Sequence, residues 1–68
     1  MFKQGDVVQH VKTRGFYVII RCANYEEDSL PCYVYELFQG NTGKTWVRAK
    51  AVMEDGRFVF IKGMVESA

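Results

Sequence analysis

The chain has 68 residues, with nine Lys/Arg against eight Asp/Glu and a formal charge of +1. A domain of this size buries only about 60% of its unfolded surface, which leaves little scaffold for a multi-residue catalytic centre, so no enzyme is expected. The even charge balance excludes the strongly basic footprint of a dedicated nucleic-acid binder.

The predicted elements are short apolar runs separated by turn signals, the pattern of an all-β chain. The first strand is expected over residues 6–11, entered through Gly5. The second, over 16–23, follows "KTRG", where Gly15 is expected to take the positive φ of a tight turn. In it the even positions Phe16, Val18, Ile20 and Cys22 are apolar while Arg21 is not, so the even set is assigned inward. After "NYEEDSLP" comes a strand over 32–38; Pro31 suits its entrance because it cannot donate to a ladder. Here Tyr33, Tyr35 and Leu37 face inward and Glu36 outward. A fourth strand spans 45–49, and a fifth, over 57–62, follows the turn signal "EDG". Between them "AKAVMED" has room for one 3₁₀ turn. Five antiparallel strands with one short helical turn before the last define a small SH3-like barrel. It forms one domain over 1–68, with an ordered core at about 5–62 and a tail at 63–68.

The stretch "GNTGKT" imitates a phosphate loop. That loop needs a glycine five residues before its Gly-Lys-Thr, with a helix behind it. Phe38 stands where the leading glycine belongs, and "TWVRA" reads as a strand, so a Gly/Asn-rich hairpin turn is expected instead.

With a period of two, Lys44, Trp46, Arg48 and Lys50 share one face. Exposed, they would stack a base and neutralise phosphates, with Lys12 and Arg14 on a nearby loop. Turned inward, Trp46 joins the core and the cationic stems lie over its edge. The last strand is apolar on both faces through Phe58, Val59, Phe60 and Ile61, the pattern of an interface or a doubly buried strand. His10, Tyr17 and Trp46 are also candidates to line a small-molecule site at the barrel mouth.

No metal or other cofactor is expected. His10, Cys22 and Cys32 lack the close ligand pairs of a zinc site. The two cysteines flank the 24–31 loop and could face each other, but free thiols in a cytoplasmic setting are the simpler reading. The opening residues do not read as a secretory signal, and no run is long enough to span a bilayer. Catalytic sets are scarce: Asp6 is a possible partner for His10, but no serine lies near it in sequence.

The ordered positions His10, Lys12, Tyr17, Val34, Tyr35, Trp46, Val47 and Arg48 carry a resemblance. The chain resembles a small uncharacterised bacterial and phage family with a His-x-Lys, a Val-Tyr-x-x-Leu/Phe strand and a Trp-Val-Arg strand. Val11 and Ala49 depart from that pattern, which usually has an aromatic and a proline there. The resemblance implies a compact β domain of bacterial or phage origin and no particular activity. The expected function is a non-enzymatic module that engages a protein partner through its β surface, as a regulator or inhibitor, or pairs with a second copy. Nucleic-acid binding and small-molecule binding at the mouth are the alternatives.

Overall fold

The computed structural model describes residues 1–39 and 43–63. The first half of "GNTGKT" (residues 40–42) and the expected tail from residue 64 onward lie outside the described residues. Five strands, β1 (Asp6–His10), β2 (Phe16–Asn24), β3 (Pro31–Leu37), β4 (Thr45–Ala49) and β5 (Phe58–Gly63), form one sheet in the order β4-β3-β2-β1-β5. Every neighbouring pair is antiparallel. The chain is thus all-β and barrel-like, as its pattern of short strands implies. A helical turn, α1 (Lys50–Val52), runs into a wider π turn at Met53–Arg57 rather than into 3₁₀ geometry.

Register decides which side chains share a face, because residues directly opposite one another point the same way. Tyr33 and Tyr35 are buried, as their alternation implies. In the first half of β2 the expected face is inverted, while beyond the bulge Cys22 keeps its expected side, opposite Tyr33. Val8 stands opposite Tyr17, and Ile19 opposite Tyr35, so Tyr17 and Ile19 turn inward while Phe16 is exposed. The cause is a bulge between Ile19 and Arg21, which leaves Ile20 unpaired and resets the phase. Alternation counted backwards from Arg21 crosses that bulge and comes out reversed.

The hairpin joining β1 and β2 closes with His10 N–H donating to Gly15 C=O at 2.8 Å and Arg14 N–H donating to His10 C=O at 2.7 Å. The positive φ falls on Arg14 (68°), not on Gly15. Gly15 matters for room instead, since a Cβ there would stand 3.3 Å from the Tyr17 ring.

The core consists of Phe2, Val8, Ile19, Tyr33, Tyr35, Met53 and Phe58. It therefore begins at Phe2, ahead of the expected boundary at residue 5. Met53, fully buried, plugs it from the π turn. A polar tie holds the N-terminal segment down. Phe2 N–H donates to Tyr33 Oη at 2.9 Å and to Glu54 Oε2 at 3.3 Å, and the Tyr33 hydroxyl pairs with Glu54 Oε2 and with Phe2 C=O. Burial, then the bond to Glu54, pushes the Tyr33 phenol well above its ordinary range. The same bond from Tyr33 holds the Glu54 carboxyl below its ordinary value.

Inside the π turn Gly56 has φ at 109°, a conformation that an L side chain adopts only under strain. Nothing lies within 4 Å of a Cβ placed there, so strain alone sets the cost of adding one. Gly56→Ala should destabilise the domain by about 1–2 kcal/mol. The urea midpoint should fall with an unchanged slope, and an unchanged midpoint would show that the turn relaxes freely.

Candidate functional site: an aromatic mouth

β4 pairs with β3 so that Trp46 stands opposite Tyr35 and Arg48 opposite Tyr33. The basic-aromatic face is therefore the one turned toward the core aromatics, at the open margin of the sheet. Trp46 is neither free-standing nor core. Its ring lies 5.8 Å from Tyr17 and 6.0 Å from Tyr35, yet 37% of it remains exposed. Tyr17 also meets Tyr35 edge-on at 5.5 Å, and Phe58 meets Tyr17, Tyr35 and His10 at 6.0, 5.8 and 4.8 Å. Such edge-to-face contacts orient each ring beyond what burial alone would do.

These rings, with Thr13 and Arg48, line a half-open hollow of about 220 Å³. Arg48 Nε donates to Tyr35 Oη at 3.3 Å, and its guanidinium lies 5.7 Å from the centre of the Phe58 ring. Thr13 N–H donates to His10 Nδ1 at 3.2 Å, which fixes Nδ1 as an acceptor and puts the proton of the neutral ring on Nε2. A second, shallower hollow of about 530 Å³ shares His10 with the first and is lined by Val11, Lys12, Asp55, Gly56 and Arg57. In it Arg57 Nε sits 3.2 Å from Asp55 Oδ2.

Among the expected binding residues, Trp46 and Arg48 meet in the mouth. Lys50, in α1, turns its ammonium over the Tyr33 ring at 5.2 Å, covering the core in the way a long cationic stem does. Lys44 is exposed just ahead of β4, and Lys12 and Arg14 are exposed on the β1–β2 loop beside the mouth. The expected apolar interface divides. Phe58 is a correction: at 4% exposure it is core and lines the mouth, because it begins β5 opposite His10. Val59, Phe60 and Ile61 are exposed by 43, 55 and 41%. Ile61 also joins Val7, Phe16, Leu37 and Phe38 around an apolar hollow of about 420 Å³.

His10, Tyr17 and Trp46 come together as the mouth reading proposed, but Tyr35 and Phe58 complete the ring and were assigned elsewhere. The strand alternation of Tyr35 was the available signal, since it fixes the face that Trp46 joins. Asp6 does not pair with His10; its buried carboxylate accepts from Lys3 N–H at 2.9 Å. Cys22 and Cys32 are free thiols. Cys22 stands opposite Tyr33 and Cys32 is the next residue along β3, so the two sulfurs point to opposite faces. Among the described residues, no three His, Cys, Asp or Glu side chains gather to hold a metal, and no helix is long and apolar enough to cross a membrane. Compared with known proteins, the chain matches no family model, no curated protein and no solved structure significantly.

Proposed function

We propose that this chain is a non-enzymatic binding module that engages a protein partner, and that the aromatic mouth is its contact surface. One observation carries the reading: a partly exposed Trp46 is held in a fixed cluster with Tyr17, Tyr35, Phe58 and Arg48. Trp, Tyr and Arg dominate the energetics of protein interfaces, above all when preorganised. A mouth of about 220 Å³ is smaller than the ~300 Å³ at which ligand pockets usually begin, which argues against a dedicated small-molecule site. The exposed trio Val59, Phe60 and Ile61 offers a second apolar patch, for the same partner or for another copy. Free thiols fit a reducing, cytoplasmic setting.

Nucleic-acid binding is the second reading, favoured by the partly exposed Trp46, edge-on to Tyr17, beside Arg48, Lys12 and Arg14. Two measurements separate them. A photo-crosslinking side chain at Thr13, on the mouth's rim, should join the chain to a protein in cells, and Trp46→Ala should abolish the adduct. Trp46 emission, titrated with single-stranded and duplex nucleic acid, should stay unchanged at low and high salt. Quenching that disappears at high salt, with nucleic acid in the crosslinked product, would transfer the mouth to the second reading.

A further inference from the structure

Resting on the protein-partner reading, we infer that the mouth and the cleft beside it take an extended acidic segment of that partner, with one aromatic side chain seated in the mouth and a carboxylate on Lys12. Shape is the first argument. Both hollows are lined by His10, so a chain that crosses that residue would reach from the mouth to the cleft that holds Lys12. The mouth has room for a single ring, while the larger cleft is open enough for backbone.

Charge is the second. Among the described residues no carboxylate lines the mouth, and Arg48 does. In the cleft, Asp55 is tied to Arg57, which leaves Lys12 as the cation whose charge no carboxylate of the cleft offsets. The chain's own acidic cluster, Glu26, Glu27 and Asp28, lies beyond Asn24, at the opposite end of β2 from the mouth. Among the described residues the one carboxylate lining either hollow, Asp55, is already paired with Arg57, so complementarity selects an anionic visitor.

An organic cation is the wrong guest, because the Arg48 guanidinium already lies over Phe58. Single-stranded nucleic acid needs successive stacking platforms along a track of cations. Here the rings form one cluster, and Arg48 and Lys50 both lie over rings of this chain.

The test uses the full chain and short synthetic peptides read by fluorescence anisotropy and amide chemical shifts. One peptide carries a single Phe flanked by Asp and Glu. The second has Lys in place of the acids, and the third has Ala in place of Phe. The acidic Phe peptide should bind best and shift resonances of His10, Thr13 and Trp46. Trp46→Ala should weaken it about thirtyfold. Lys12→Glu, an exposed change that spares the fold, should weaken it about tenfold and turn the preference toward the Lys-flanked peptide. If all Phe peptides bind the mouth equally, or Lys12→Glu changes nothing, the acidic inference falls and the protein-binding mouth stands. If only oligonucleotides bind, both fall. If no peptide shifts the mouth resonances, the inference is overturned.

Discussion

Phe58→Ala should leave much of the chain unfolded at 25 °C. The side chain is 4% exposed and touches His10, Tyr17 and Tyr35 while supporting the Arg48 guanidinium. Truncating a buried Phe to Ala costs about 3–5 kcal/mol. That approaches the whole stability of a small domain, where about 5 kcal/mol is typical at the low end. Phe58→Leu, closer in volume, should cost about 1–1.5 kcal/mol and keep the fold. It should still dissolve the ring contacts that orient Tyr17 and His10, so binding at the mouth should fall further than stability. Urea denaturation followed by circular dichroism measures the first effect. A midpoint unmoved by Phe58→Ala would move the residue out of the core and back to the interface alternative that the apolar pattern of β5 also allowed.

Tyr33→Phe should cost about 1–3 kcal/mol, although it removes only one oxygen. The ring volume stays, but Glu54 Oε2 loses the hydroxyl proton it accepts and Phe2 N–H keeps only the 3.3 Å bond to Glu54. The pH dependence identifies the tie. Glu54 has a lowered folded-state pKa, so its contribution is present above the unfolded carboxyl value and is lost as pH falls through the folded one. Tyr33 has a raised folded-state pKa, so its contribution is full below the unfolded phenol value of about 10 and is lost as pH climbs above it. Stability should therefore run level across neutral pH and decline at both extremes. Tyr33→Phe should flatten the alkaline decline and reduce the acid one, because the Tyr33 hydroxyl is the main cause of the Glu54 shift. An alkaline limb that survives the substitution would assign it to another group.

The strands were legible because β-branched and aromatic runs bounded by Gly, Pro and acidic turns leave few alternatives. β4 runs over Thr45–Ala49 as expected, and Pro31 opens β3. The phase of β2 was hidden. Phe16 to Ile20 are apolar on both faces, so Arg21 was the only marker, and a bulge separates it from the residues it was used to orient. The left-handed residue of the first hairpin was equally obscured, because a neighbouring glycine attracts the assignment that Arg14 fulfils. As for the mouth, a period of two correctly grouped Trp46 with Arg48 but could not say which face met the core. That depends on pairing with Tyr35, a relation between strands. The place of Phe58 depends likewise on its facing His10 across more than forty positions.

The strand order carries a consequence for how the molecule is made. The meander β1-β2-β3-β4 pairs near neighbours in sequence, whereas the outer edge of β1 must wait for β5, the fifth strand in chain order. On a ribosome β1 can pair with β2 as soon as both have emerged, but its other edge stays open until β5 follows. Long-range pairing of this kind slows folding toward the millisecond-to-second range seen for β barrels. The mouth inherits the delay, since β5 supplies Phe58. Recognition competence therefore waits for β5 to dock, and a nascent chain with β1 to β4 already paired would not yet bind.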